Sequence, residues 1–239
     1  LNVDVHIVGY LAETTLVMTF HNPNSRVLSG ELLFPLPEGA TISGFGLDVG
    51  GELVDGVAIE RQRARVAFES EMIQRVDPGL AEWVQGSLFR TRIYPFPANG
   101  NRTIKVSYVT DLTVSNGSAV YDLPLAYQDE LDAFHLRVAV SQGAAQPTIT
   151  GGTLTNLTFE SWEQQFVAET TLHDIRPRED IHVAVPLVLD QPVVELHPSG
   201  DHYFALQHRI DPTTAAARRP IPDRVGLVLD ASGSRDEHA

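Results

Sequence analysis

The chain has 239 residues, with 17 basic and 31 acidic side chains, which give a formal net charge of −14 at pH 7. This acidic excess argues against a general nucleic-acid binder, because contacts to phosphates need clustered lysine and arginine. Cysteine is absent, which excludes disulfide bridges, thiolate metal sites and a cysteine nucleophile. The longest apolar runs are far shorter than the roughly 18 residues of a membrane helix, so no membrane span is predicted.

Short runs of alternating apolar and polar residues dominate the sequence, and Gly, Pro, Asn and Asp separate them. Between Glu13 and His21, for example, Leu16, Met18 and Phe20 occupy one side of an extended chain. Such a strand buries one face. The same alternation predicts strands over residues 3–8, 41–49, 51–59, 88–94, 102–113, 119–125, 133–140, 147–154, 164–172, 180–189, 193–197 and 202–209. The predicted fold is mainly β, built as one or more antiparallel β-sandwiches.

A tight turn is predicted between two of these strands. The dipeptide Asn99–Gly100 is typical of a hairpin turn, and it lies between the runs 88–94 and 102–113. We therefore expect these two strands to be antiparallel neighbours. A further short turn is expected over Leu80–Val84.

One segment departs from the alternation and predicts a helix. Between Glu60 and about Arg75, apolar residues recur at intervals of three and four, which is the spacing of an amphipathic helix. The sequence Asp77–Pro78–Gly79 would end this helix, because proline disfavours helical geometry in the residue before it. We expect a single helix packed on a sheet.

Four segments are distinguished along the chain. Residues 1–115 and the β-rich residues 116–212 are the two large ones, and their patterns leave open whether they share one sandwich or form two. Residues 213–223 have the composition of a linker, with small residues followed by two prolines. Residues 224–239 contain Val225–Leu229, a continuously apolar run typical of a strand buried in a parallel sheet. This last segment is predicted to be the start of a truncated α/β domain.

The residues that follow this apolar run are candidate metal ligands. Asp230, Ser232 and Ser234 lie after its carboxyl end, where open α/β sheets bind their ligands. One carboxylate and two hydroxyls are hard oxygen donors, which suit Mg²⁺ or Mn²⁺ better than zinc. A solvated turn is the alternative interpretation of the same pattern.

A series of motifs in the first half of the chain resembles a known family. In order, the motifs are Phe20–Pro23, Leu33–Ala40, Ile42–Phe45, Val49–Gly51, Ala64–Glu69, Asp77–Leu80 and Phe89–Pro95. The series resembles the VIT domain of inter-alpha-trypsin inhibitor heavy chains and vault-associated proteins, and the resemblance continues to Tyr108. In such proteins a von Willebrand factor type A domain usually follows. The first strand of that domain ends in the same Asp-x-Ser-x-Ser pattern that Asp230–Ser234 shows.

The resemblance implies a non-enzymatic scaffold or interaction module that positions the type A domain. The metal-dependent adhesion site of that domain would begin with Asp230, Ser232 and Ser234, and its remaining ligands come from later loops. Mg²⁺ or Mn²⁺ is therefore expected only in a complete type A domain, and not in this chain. The implied partners are a protein or extracellular-matrix ligand, bound through the type A domain, and the VIT domain itself, packed on the type A domain within the molecule.

The location of the protein is an expectation of the same kind. An arginine-rich composition with Lys105 as the only lysine suggests a bacterial protein. Together with an adhesion role, this favours an extracellular, cell-surface or periplasmic protein.

An enzyme is the alternative function. A β-sandwich hydrolase acting on carbohydrates or esters would need carboxylates or histidines that converge in a pocket. The candidates are Glu195, His197, Asp201, His202 and His208, which lie close together in the sequence. Their spacing matches no helical zinc motif, and the chain has neither a hydrolase elbow nor a phosphate-binding loop. Scattered surface or half-buried histidines are therefore the favoured interpretation.

The prolines, glycine and asparagines of the VIT-like motifs are interpreted as structural residues. Pro35 and Pro37 lack backbone donors and so end strand pairing, and Gly39 allows a turn that a Cβ would forbid. The sequence Asn22–Pro23–Asn24 predicts a turn for related reasons. These residues are expected to support the fold and not to bind a ligand.

Overall fold

The computed structural model describes residues 1–56, 79–84, 88–115, 117–125, 129–141, 143, 145–150, 154, 157–163, 165–186, 192–196 and 202–206. This part of the chain is mainly β and contains no α-helix, so the predicted fold class is confirmed. The strands are β1 Asn2–Val8, β2 Leu11–Asn22, β3 Leu28–Pro35, β4 Thr41–Val49, β5 Glu52–Asp55, β6 Gly79–Val84, β7 Leu88–Phe96, β8 Gly100–Asp111, β9 Thr113–Ser115, β10 Ser118–Leu123, β11 Leu131–Ser141, β12 Thr148–Thr150, β13 Glu160–Trp162, β14 Gln165–Ile175, β15 Ile181–Pro186, β16 Pro192–Leu196 and β17 His202–Leu206.

Three sequence predictions lie outside the described residues. They are the amphipathic helix between Glu60 and Arg75, the linker over 213–223, and the strand and metal-site loop over 224–239. In the part of the chain that is described, no helix has the length and apolar character needed to cross a bilayer.

One large sheet joins strands from both halves of the chain. It has eight strands in the order β13-β14-β11-β1-β2-β8-β4-β5. All its neighbouring strands are antiparallel except β1 and β11, which pair in parallel from Asn2 opposite His135 to Val8 opposite Ser141. The sequence left open whether residues 116–212 continue the first sandwich. The pairing of β11 with β1 shows that both halves contribute to the same sheet.

Two smaller sheets supply the other side of the core. They are a four-stranded sheet, β12-β15-β10-β9, and a three-stranded sheet, β3-β7-β6. Apolar residues of all three sheets form one buried cluster. Its members include Val5 and Leu16 of the large sheet, Leu123 and Val183 of the four-stranded sheet, and Phe89 of the three-stranded sheet. A single interior therefore holds the two halves of the chain together.

The hairpin predicted at Asn99–Gly100 is wrong. Strand β7 pairs with β3 and β6, whereas β8 pairs with β2 and β4. The connection between them therefore passes from one sheet to another and does not close a hairpin. The turn predicted over Leu80–Val84 is also wrong, because these residues lie in β6 and pair with β7.

Candidate interaction surface

The structure brings together few of the residues that the sequence singled out for chemistry. Asp230, Ser232 and Ser234 lie outside the described residues, as do His197, Asp201 and His208. The backbones of Glu195 and His202 lie on the paired strands β16 and β17. Glu195 is opposite Tyr203, and His202 is opposite Leu196, so the two candidates are not register partners.

Polar side chains line the side of the eight-stranded sheet that faces away from the core, which we call the outer face. Side chains alternate along each strand, so that Val3, Val5 and Ile7 of β1 are buried while Asp4 lies on the outer face. Asp4 is opposite Arg137 of β11, and its Oδ2 accepts a hydrogen bond from Arg137 Nη1 at 3.2 Å. Cross-strand pairs of this kind stabilise a sheet modestly.

Histidines are frequent on the outer face, and they contact neighbouring strands. His135 Nδ1 lies 3.0 Å from Thr171 Oγ1, and its Nε2 lies 3.5 Å from a carboxylate oxygen of Glu169. His6 Nε2 shares a hydrogen bond of 2.8 Å with Ser141 Oγ. Within the described residues, no three histidine, aspartate or glutamate side chains are placed to hold a metal ion. The polar side chains of the outer face therefore join neighbouring strands.

The only lysine of the chain lies on the outer face. Lys105 of β8 forms an ion pair with Asp55 of the edge strand β5, across the backbone of Gly46 in β4. A Cβ on Gly46 would lie 3.2 Å from Asp55 Oδ1 and 3.4 Å from Lys105 Cβ. The absence of a side chain at Gly46 therefore leaves the space in which the ion pair forms.

A buried asparagine of the VIT-like motifs holds the connection between β7 and β8. Asn22 is 1% exposed, and its Nδ2 donates to the carbonyl oxygens of Pro97 at 2.8 Å and Arg26 at 3.1 Å. Its Oδ1 accepts from the backbone and side-chain nitrogens of Asn24, both at 3.0 Å. Asn22 itself ends β2, and a bend follows at residues 24–26. Asn22 has the structural role that the sequence predicted, through its bonds to Asn24 and to the distant Pro97.

Arg102 fixes the same connection from the next strand. The side chain is 5% exposed, and its Nε donates to the carbonyl oxygen of Pro95 at 2.9 Å. Its Nη1 donates to the carbonyl oxygen of Asp48 at 2.7 Å. A buried guanidinium is tolerated when backbone carbonyls satisfy its donors, so Arg102 is a structural residue.

Three hydroxyl groups lie inside the core where the two halves of the chain meet. Thr14 of β2 and Tyr121 of β10 share a hydrogen bond of 2.6 Å, and Tyr108 of β8 is opposite Thr14 in the sheet. Burial raises the pKa of Tyr108, and it raises the pKa of Tyr121 well above the ordinary value of 10.0. A tyrosine with a raised pKa stays neutral at pH 7, which makes this cluster suited to hydrogen bonding and unsuited to acid–base chemistry.

The most exposed large apolar side chain among the described residues is Trp162, which is 69% exposed. It ends β13, and the turn to β14 begins at Glu163, whose φ is +54°. Sequence reasoning missed this residue. The available signal was a single tryptophan within the polar run Glu160–Gln165, where no apolar neighbour would bury it.

Comparisons with known proteins find distant similarity over part of the chain. It is 23% identical over 124 residues to the protein mono-ADP-ribosyltransferase PARP4 of Mus musculus, and 23% identical over 125 residues to that of Homo sapiens. These alignments cover 50% and 51% of this chain but only 6% and 7% of the relatives. The chain therefore spans less than a tenth of the length of these curated relatives.

Two solved structures from Legionella pneumophila are similar in part. One is described as a candidate nutrient binding protein; it is 15% identical, with 77% of this chain and 65% of that chain covered, at a TM-score of 0.46. The other is aminopeptidase A in complex with aspartic acid, which is 14% identical with 85% and 23% covered, at a TM-score of 0.38. At the level of a protein family, residues 1–108 match the model of the Vault protein inter-alpha-trypsin domain, abbreviated VIT.

Proposed function

We propose that this chain is a non-enzymatic interaction module whose β body holds a neighbouring domain in place. The observation that carries the proposal is the parallel pairing of β1 with β11, which extends the sheet of the VIT-matching residues into the second half. A body with one sheet and one core resists bending between its halves. Such a body is suited to presenting another domain at a fixed orientation.

The polar groups of the described residues support a structural use in preference to catalysis. On the outer face, Arg137 pairs with Asp4, and Lys105 pairs with Asp55. The buried polar residues Asn22 and Arg102 bind backbone carbonyls. The VIT match over residues 1–108 points in the same direction, because the VIT family is a family of non-catalytic modules. The enzymatic activity in the names of the curated relatives belongs to proteins of which this chain spans 6% and 7%.

The domain held by this body is, in our proposal, a von Willebrand factor type A domain that begins near residue 224. Asp230, Ser232 and Ser234 would supply the first ligands of its Mg²⁺ or Mn²⁺ site. A carboxylate of a protein or matrix ligand would then complete the coordination of the ion. The VIT body packs on this domain, and the protein acts outside the bacterial cell, on its surface or in the periplasm.

Calorimetric titration with Mg²⁺ tests this proposal. One sample is this chain, a second is the same chain extended after residue 239 by the remainder of a type A domain, and a third is the extended chain with Asp230→Ala. We expect the extended chain to bind Mg²⁺ at least tenfold more tightly than either of the others. Equal binding by the short chain, or undiminished binding by the Asp230→Ala variant, would refute the proposed site.

A further inference from the structure

The turn between β13 and β14 presents an aromatic side chain between two carboxylates. We call Glu160, Trp162 and Glu163 the tryptophan tip. Trp162 is 69% exposed, and both glutamates are also exposed. Tryptophan is usually buried for most of its area, and exposed tryptophans are enriched where proteins bind partners. The exposure of Trp162 therefore needs an explanation beyond the packing of this chain.

The register places the tip at one edge of the outer face. Trp162 is opposite Gln165 of β14, and Gln165 is opposite Ser141 of β11. Ser141 shares a hydrogen bond with His6 on the outer face. Trp162 therefore lies at the end of a row of polar side chains, on the edge strand of the sheet.

The charge of the tip is not compensated within the described residues. Among these residues, neither Glu160 nor Glu163 forms an ion pair or a side-chain hydrogen bond. Arg137 of β11, a cation of the outer face, is paired with Asp4. The whole chain carries a net charge of −14. A partner that binds at the tip would therefore be favoured if it brought positive charge.

The backbone of Glu163, at the tryptophan tip, has a left-handed geometry that favours other residue types. Glu163 has a φ of +54°, which lies in the left-handed region that glycine and asparagine adopt at lower cost. A glutamate at this position brings a carboxylate next to Trp162 at the expense of backbone strain. Strained residues of this kind are frequent at binding sites.

We propose that the tryptophan tip binds a basic segment of a partner protein, with an arginine or lysine side chain over the indole ring of Trp162. The cation would interact with the face of the ring, and the carboxylates of Glu160 and Glu163 would accept its hydrogen bonds. Arginine is the better match, because its planar guanidinium both stacks on aromatic rings and bonds carboxylates in pairs. This inference deepens the proposed interaction function but does not depend on the type A domain.

Titration of the whole chain with a short peptide of alternating arginine and glycine tests the inference. A peptide with glutamine in place of each arginine is the neutral probe. We expect Trp162→Ala to weaken binding of the arginine peptide about two- to fivefold, the range of an exposed cation–π contact. The double variant Glu160→Gln/Glu163→Gln should weaken it further. The control Asp129→Asn/Glu130→Gln removes the same two charges from exposed positions elsewhere and should change the affinity less than twofold.

A second variant separates binding from stability. Glu163→Gly relieves the left-handed backbone strain, so it should raise the midpoint of thermal unfolding. Because it also removes one carboxylate, it should lower the affinity for the arginine peptide. The inference is overturned if the control double variant loses as much affinity as the tip variant, if Trp162→Ala binds normally, or if the glutamine peptide binds equally well. None of these results would alter the Mg²⁺ titration, so failure here and failure of the type A proposal are distinguishable.

Discussion

The hydroxyl oxygen of Tyr121 lies 2.6 Å from Oγ1 of Thr14, although 107 residues separate the two along the chain. Thr14 belongs to the VIT-matching half and Tyr121 to the strand β10 that covers it. Both side chains are fully buried, so neither hydroxyl has water as an alternative partner. This contact therefore reports directly on whether the two halves of the chain are packed against each other.

Replacing Tyr121 with phenylalanine removes its hydroxyl from a buried cluster that also contains Thr14 and Tyr108. We expect the free energy of unfolding to fall by about 1–2 kcal/mol, because the buried hydroxyl of Thr14 loses one hydrogen-bond partner. Urea denaturation measures the change. The matched control is Thr103→Val, which removes the exposed hydrogen bond to Thr19 and should change stability by no more than about 0.5 kcal/mol. Equal effects of the two substitutions would contradict the buried contact.

The raised pKa of Tyr121 predicts a loss of stability in alkali. Burial holds its pKa in the folded state well above the ordinary value of 10.0, so the folded state keeps a proton that the unfolded state releases. This contribution is fully present below pH 10 and is lost as the pH rises further, with a slope of up to about 1.4 kcal/mol per pH unit. Unfolding free energies measured between pH 8 and 11 should fall more steeply for the natural chain than for Tyr121→Phe. If the unfolding free energies of the two proteins fell in parallel with pH, the pKa of Tyr121 would be the same in the folded and unfolded states, which would contradict this prediction.

Asn22→Ala should be strongly destabilising. The substitution leaves the partly buried carbonyl of Pro97 and the backbone nitrogen of Asn24 without their side-chain partner, for which we expect a loss of about 2–3 kcal/mol in the free energy of unfolding. Asn101→Ala is the control, because its side chain bonds His21 on the exposed surface. Chemical denaturation of both variants gives the comparison. A loss below about 0.5 kcal/mol for Asn22→Ala would show that this asparagine is dispensable to the connection.

Gly46→Ala should loosen the edge of the large sheet. The added Cβ would lie 3.2 Å from Asp55 Oδ1 and 3.3 Å from the carbonyl oxygen of Val54, so either the ion pair with Lys105 or the β4–β5 pairing must shift. Overpacking of this kind costs about 1–3 kcal/mol. Gly30→Ala is the control, since its nearest contact would be an ordinary 3.7 Å. The midpoint of thermal unfolding should be lower for Gly46→Ala than for Gly30→Ala. Equal midpoints would contradict the steric explanation.

Local patterns predicted many of the strands but not their partners, and they missed β3 and β6. Alternation placed Leu16 and Met18 on one side of a strand, and both are buried. The Asn99–Gly100 dipeptide predicted a hairpin because it is a strong local turn signal. In the structure, the chain passes from one sheet to another at this point. Asn22 binds the carbonyl of the distant Pro97, and Arg102 binds the carbonyls of Pro95 and of the distant Asp48.

The parallel pairing of β1 with β11 also could not be predicted from sequence patterns. Asn2 and His135 are register partners, and no periodicity in either strand specifies a neighbour more than a hundred residues away. The same limit applies to the tryptophan tip. A run such as Glu160–Gln165 indicates a polar turn, but only the fold shows that Trp162 stands at the edge of a sheet. The metal ligands predicted at Asp230, Ser232 and Ser234 stay predictions.

Native-state hydrogen exchange with increasing denaturant tests most directly whether the two halves form one body. Amides that open only on global unfolding share a single free energy of opening. We expect the central amides of β1, β2, β8 and β11 to converge on that value together. If the amides of β11 and β14 instead exchange through an opening of clearly lower free energy, while β2 and β8 stay protected, the second half is a separate unit and the proposed rigid module is contradicted.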